Sequence, residues 1–124
     1  MWKEKALRMI RESGYKLTPQ RVVLIEVLDR IGNAHPSLGE IHREVKKKLP
    51  TVSVSTLYSN ILLLQKLELL QLLPLGGETH VEVNIEPHIN LITAEGIRDI
   101  EDRELIRIIE RKIGKKIRLV NVVV

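Results

Sequence analysis

An α+β fold is predicted for this 124-residue chain, and three patterns predict it. Apolar residues recur at helical spacing, separated by capping and breaking residues, from the N-terminus to about residue 67. Two short strand-like runs then flank a turn that contains Gly76-Gly77. Beyond residue 84, one amphipathic helix is set among further short apolar runs. The length suits one domain, or two small modules with a boundary near residues 84–88.

A first helix is expected over residues 3–13, with Leu7 and Ile10 on one face and Gly14 ending it. Thr18-Pro19 opens a second, because threonine caps free N–H groups and proline loses no bond at the first helical position. Val22, Ile25, Leu28 and Ile31 form its stripe, and Gly32 closes it. Ser37-Leu38-Gly39-Glu40 has the capping-box pattern and starts a third helix. There Ile41, Val45 and Leu49 face inward, and Lys46, Lys47 and Lys48 complement the helix dipole before Pro50. A fourth runs from near Ser53 to about Leu67 on a core face of Leu57, Ile61 and Leu64. Its first turns are small and polar: Ser53, Ser55, Thr56, Tyr58, Ser59 and Asn60, side chains that can hydrogen-bond phosphates and base edges.

Strands are expected at residues 69–73 and 79–84 around Pro74-Leu75-Gly76-Gly77. Three consecutive core helices and a hairpin follow one another as in a winged helix-turn-helix, in which the last helix enters the major groove. Further short strands are expected at residues 88–93 and 97–100, then an amphipathic helix over 102–113 with Leu105, Ile108, Ile109 and Ile113 on its inner face. Residues 117–124 form a last strand that is nearly apolar on both faces and so needs cover on both, which argues for an interface.

Composition narrows the function. With no cysteine, disulfides, thiol catalysis, thiolate zinc sites and iron–sulfur clusters are excluded. No stretch approaches the roughly 18 apolar residues of a membrane span, and Met1–Lys5 has no export-type apolar core, so a soluble cytoplasmic protein with no membrane partner is expected. Residues 1–75 carry 12 Lys and Arg against 7 Asp and Glu, whereas residues 76–124 carry 8 against 9. The basic excess in the first part suits a polyanionic partner; solvated helix faces explain the same numbers.

Gly14-Tyr15-Lys16-Leu17-Thr18-Pro19-Gln20-Arg21, His35-Pro36-Ser37 with Glu40-Ile41, Ser53-Val54-Ser55-Thr56-Leu57-Tyr58, Gly76-Gly77 and Val81-Glu82-Val83 resemble successive segments of the ferric uptake regulator family of metal-responsive repressors. The resemblance is good over residues 14–83 and thinner beyond. It implies a winged-helix DNA-binding domain at 1–84 and a small α/β dimerisation domain at 85–124, acting as a homodimer on a double-stranded DNA operator. It also implies roles: Lys16 at the minor groove, Gln20 and Arg21 near the backbone, and Thr56 and Tyr58 in the major groove, flanked by Ser55, Ser59 and Asn60. Each phosphate so neutralised would add salt-dependent affinity. Ser59 departs from the family, which usually has an arginine there. A bidentate Arg–guanine contact is worth about 1–3 kcal/mol, so relaxed sequence selectivity is expected.

For the regulatory metal the resemblance implies His35, Glu82, His88 and Glu101 as ligands. Two imidazoles and two carboxylates suit one divalent transition metal per subunit, Zn, Fe, Mn or Ni. A further histidine usual in that site is replaced by Asn90, and Pro87 and Ile89 occupy a second site's stretch. The structural zinc of four cysteines is absent, with Thr93 and Gly96 near its first pair. The alternative for these residues is exposed loop histidines and solvated carboxylates, and His42 and His80 are read as ordinary histidines. The competing function is a winged-helix protein–protein interaction module that has lost specific DNA readout and metal sensing. An enzyme is disfavoured, because no phosphate loop, Gly-x-Ser-x-Gly elbow or His-Glu-x-x-His pattern is present.

Overall fold

In the computed structural model, which describes all 124 residues, helices α1 (Trp2–Glu12), α2 (Pro19–Ile31), α3 (Leu38–Lys46) and α4 (Val54–Lys66) precede the hairpin β1 (Gln71–Leu75) and β2 (Glu78–Glu82). Then follow β3 (His88–Thr93), β4 (Gly96–Ile100), α5 (Arg103–Ile113) and β5 (Leu119–Val123). The chain divides into two units, Met1–Asn84 and Ile85–Val124.

In the first unit, Ala6 and Ile10 of α1, Leu24, Ile25 and Leu28 of α2, Ile41 and Val45 of α3, and Leu57, Ile61 and Leu64 of α4 share one apolar core. Leu69, Leu70 and Val81 join it from the hairpin side, and Trp2 Nε1 donates to the Leu69 carbonyl at 2.7 Å. Each of α2, α3 and α4 opens on a hydroxyl that accepts a free backbone N–H: Thr18 from Arg21, Ser37 from Glu40 and Ser53 from Thr56. On the surface, Arg30 pairs with Glu44 at 2.8 Å and Lys48 with Glu26 at 3.1 Å, tying α2 to the α3 end. Hydrogen bonds from Lys48 to Glu26, and from Lys47 and Arg30 to Glu44, hold both carboxyls below their ordinary range.

The hairpin's turn is tighter than expected, and its first strand starts two residues later. Gln71 pairs with Glu82 and Leu75 with Glu78, leaving only Gly76-Gly77 in the turn. Both glycines have positive φ, +57° and +81°, the conformation that a two-residue primed turn requires. Pro74, expected in the turn, lies within β1 opposite Thr79, where a two-stranded sheet leaves its missing N–H unneeded. Gly32 closes α2 as its C-cap, as expected, and opens a short 3-10 turn, Gly32–Ala34, after which His35 takes the left-handed conformation at φ 53°. Gly32 is required for space, because a Cβ there would lie 2.8 Å from Val83 Cγ1 and Cγ2.

In the second unit the strand order is β4-β3-β5. β3 and β4 pair antiparallel from Ile89↔Ile100 to Thr93↔Gly96, and β5 runs parallel to β3 after the α5 crossover. Asp102 caps α5 by accepting from Leu105 N at 2.9 Å, and Gly114 ends it at φ 71°. The inner face of α5 is not the expected one: Ile106 is its buried residue, whereas Leu105, Ile108 and Ile113 are exposed. β5 has β3 as its neighbour on one side only, and Val122, Val123 and Val124 are exposed, so the apolar cover the sequence calls for is not supplied within the single chain and an interface remains its expected source.

Candidate nucleic-acid interface and metal ligands

The outward face of α4 is set by the helical period. Leu57, Ile61 and Leu64 point into the core, which turns Ser55, Thr56, Tyr58 and Ser59 to solvent. Ser53 Oγ accepts from Thr56 N at 3.1 Å and donates to Thr56 Oγ1 at 2.9 Å, leaving the Thr56 hydroxyl proton to donate outward. Two residues that the polar composition did not single out share this surface: Val54 and Leu62 are 58% and 41% exposed, each four residues from Tyr58. The signal was available in the i, i+4 spacing, and apolar side chains here are of the kind that meets thymine methyl groups.

Asn60, expected among the outward residues, is turned inward. Three residues beyond Leu57 and four before Leu64, it is 9% exposed, and its Oδ1 accepts from Arg21 Nε at 3.0 Å. The same guanidinium donates through Nη1 to the Lys16 carbonyl at 2.7 Å and lies over the Tyr15 ring, 5.9 Å from its centroid. Lys66 Nζ donates to the Tyr15 hydroxyl at 3.3 Å. Arg21 therefore ties the segment carrying Lys16 to α4, while Lys16 and Gln20 themselves are exposed. What this arrangement offers chemically is a fixed helix face of hydroxyls and small apolar groups beside exposed cations.

The expected metal ligands fall in both units. In the first, His35 Nε2 lies 2.7 Å from Glu82 Oε2, and both residues are buried. The left-handed backbone at His35 is held by its own carbonyl, which accepts from His80 Nδ1 at 2.7 Å, so His80 has a structural role that its sequence context did not reveal. In the second unit, His88 Nδ1 donates to the Glu86 carbonyl at 2.7 Å. A carbonyl can only accept, so Nε2 is the basic nitrogen of the neutral ring. That Nε2 lies 3.9 Å from Asp99 Oδ1. Asp99 was missed by sequence reasoning, and Glu101 is exposed just beyond β4 on the same side of the sheet as Asp99. Asn90 pairs in register with Asp99 and Asn121, and its Nδ2 donates to Asn121 Oδ1 at 3.4 Å. In each unit, then, an imidazole nitrogen stands beside a carboxylate oxygen, a donor chemistry that fits a borderline divalent cation.

Comparison with known proteins follows the same lines. The ferric uptake regulator family profile matches residues 12–124. A ferric uptake regulation protein homolog of Archaeoglobus fulgidus is 53% identical over 122 residues, 98% of this chain and 95% of that protein. The peroxide-responsive repressor PerR of Staphylococcus epidermidis is 27% identical over 90 residues, 72% of this chain and 59% of that one. Among solved structures, the Campylobacter jejuni peroxide stress regulator superposes with a TM-score of 0.71 at 30% identity, covering 95% of this chain and 93% of its own.

Proposed function

Because the chain belongs to the ferric uptake regulator family, dimeric metal-responsive DNA-binding regulators of transcription rather than enzymes, we propose that it reads an operator with the outward face of α4. The observation that supports this most is the exposure of Ser55, Thr56, Tyr58 and Ser59 on a helix whose opposite face is buried in the core. Thr56, Tyr58, Val54 and Leu62 would meet base edges, Ser55 and Ser59 bases or backbone, and Lys16 and Gln20 phosphates. Asn60 and Arg21 act by positioning. The protein works in the cytoplasm, on palindromic sites whose half-sites lie about one duplex turn, roughly 34 Å, apart.

Self-association is assigned to the uncovered apolar surface of the second unit, Leu105, Ile108 and Ile113 on α5 and Val122 and Val123 on β5, one of the two edge strands of the sheet. For the metal, His35 and Glu82 in the first unit and His88 and Asp99 in the second are the donors, with Glu101 beside them in sequence. A divalent cation supplies the positive charge that neutral imidazole and carboxylate both coordinate. The chain's own contribution is to hold His88 in the tautomer with Nε2 basic, through Glu86, and to fix His35 through His80.

Selection of duplexes from a randomised pool by the full-length protein, with Mn²⁺ or Zn²⁺ and again with chelator, tests this reading. An enriched palindrome whose affinity falls on chelation is expected. A second reading, the protein–protein module, is favoured by the apolar share of the α4 face, Val54, Tyr58 and Leu62; a pool that shows no enrichment under either condition would select it.

A further inference from the structure

The charge of the second unit is segregated. Residues 85–102 carry 5 Asp and Glu and 1 Arg, whereas residues 103–118 carry 7 Arg and Lys and 2 Glu. The near-neutral balance of this unit therefore conceals a basic element. On α5, Arg103, Arg107 and Arg111 recur every fourth residue and lie along one side, and Lys115 and Lys116 continue past Gly114. All five are exposed, and none is ion-paired, in contrast to Arg30, Lys47 and Lys48 of the first unit, each of which holds a carboxylate. Of the two nearby glutamates, Glu110 is occupied in accepting Ile117 N at 2.8 Å, which holds the turn between α5 and β5. Arg107, Arg111, Lys115 and Lys116, with Glu104 and Glu110, line an open groove of about 580 Å³. The exposed apolar residues Leu105 and Ile108 lie on a different side of the helix from Arg103 and Arg107, and only Arg111, three residues beyond Ile108, borders that apolar surface.

We infer that this face of α5, formed by Arg103, Arg107 and Arg111 and continued by Lys115 and Lys116, binds the phosphate backbone of duplex DNA without reading sequence. The geometry suits an extended polyanion. Three arginines at four-residue intervals span about 12 Å of helix, over which one DNA strand presents a phosphate roughly every 3.4 Å of its axis. A site for a small anion would instead converge buried donors on one point, and every cation here is exposed. The inference concerns a surface separate from α4 and fails separately from the α4 reading.

The test is the salt dependence of affinity for a random-sequence duplex, measured by anisotropy on the full-length wild type, on Arg103→Gln/Arg107→Gln/Arg111→Gln, and on Thr56→Ala/Tyr58→Ala. Glutamine keeps helix propensity, and circular dichroism and sedimentation confirm fold and association. The slope of log affinity against log salt becomes shallower by about 2–3 in the triple variant, since each lost phosphate contact removes about 0.9. It stays at the wild-type value in the α4 variant. Should the triple variant misfold, Lys115→Gln/Lys116→Gln serves, with a slope shallower by about 1–2. An unchanged slope in the folded variants, or no wild-type binding to random duplex, overturns the inference. So does saturable pyrophosphate binding that these variants lose while their DNA slope stays unaltered, which would mark a small-anion site.

Discussion

Arg21 serves three partners with one guanidinium: Asn60, the Lys16 carbonyl and the Tyr15 ring. Removing it leaves the buried Asn60 amide oxygen without that donor and frees the Lys16 segment. Arg21→Ala is expected to cost about 1–2 kcal/mol of stability and to weaken operator affinity on the order of tenfold. Arg21→Lys should not rescue it, because an ammonium has no planar fork; denaturant midpoints and anisotropy check both. Asn60 shows what residue type alone conceals. Polarity grouped it with the outward residues, but its spacing from Leu57 and Leu64 places it on the core side, where Arg21 needs an acceptor. Gly32 is a similar case, since Val83, 51 positions away in sequence, is what excludes a side chain. Gly32→Ala should lower stability by about 1–3 kcal/mol through overpacking, and Val83→Ala in the same chain should recover part of it in thermal unfolding. Ser59, exposed on the α4 face, permits a gain. Ser59→Arg should raise affinity for a guanine-bearing operator by about 1–3 kcal/mol over mismatched sites in salt-matched titrations. No gain would show that position 59 does not face the bases.

At the scale of elements, the helices were legible because their ends carry chemistry: Thr18-Pro19, Ser37 and Ser53 each cap the helix that the apolar spacing demands. The hairpin was legible as a hairpin but not in where its turn falls, since Pro74 reads as a turn residue until its partner strand is known to be the only one. On α5 the apolar residues Leu105, Ile106, Ile108, Ile109 and Ile113 cover an arc too wide for one neighbour, so periodicity could not choose which part the sheet covers. Ile106 is that part. The remainder predicts that Leu105→Lys/Ile108→Lys shifts the protein from dimer toward monomer by at least tenfold in dissociation constant, read by sedimentation, while far-ultraviolet dichroism stays unchanged. An unaltered dimer would move the interface elsewhere, to the β5 edge alone.

At the scale of the whole molecule, the chain belongs to a family of metal-responsive DNA-binding regulators, and α4 and the paired imidazoles and carboxylates are the proposed seats of its two inputs. The histidines His35 and His88 could be named from the sequence, but the carboxylate beside His88 could not. The β3–β4 register fixes it, and that register depends on the Ala94-Glu95 turn rather than on any local motif. Asp99→Ala should therefore weaken Zn²⁺ or Mn²⁺ binding more than Glu101→Ala does, by calorimetry on metal-free protein, with a loss at least as large as the roughly 10–100-fold that outer-shell partners cost; equal effects would restore Glu101 to the same standing. The account depends above all on the solvent-facing side of α4. The direct measurement is the ratio of operator to random-duplex affinity for Thr56→Ala/Tyr58→Ala against wild type, at one salt concentration and one metal loading. A ratio that collapses toward one with folding and dimerisation intact is the predicted result. A ratio equal to the wild type's would contradict the account, because the residues on that face would then not be reading DNA.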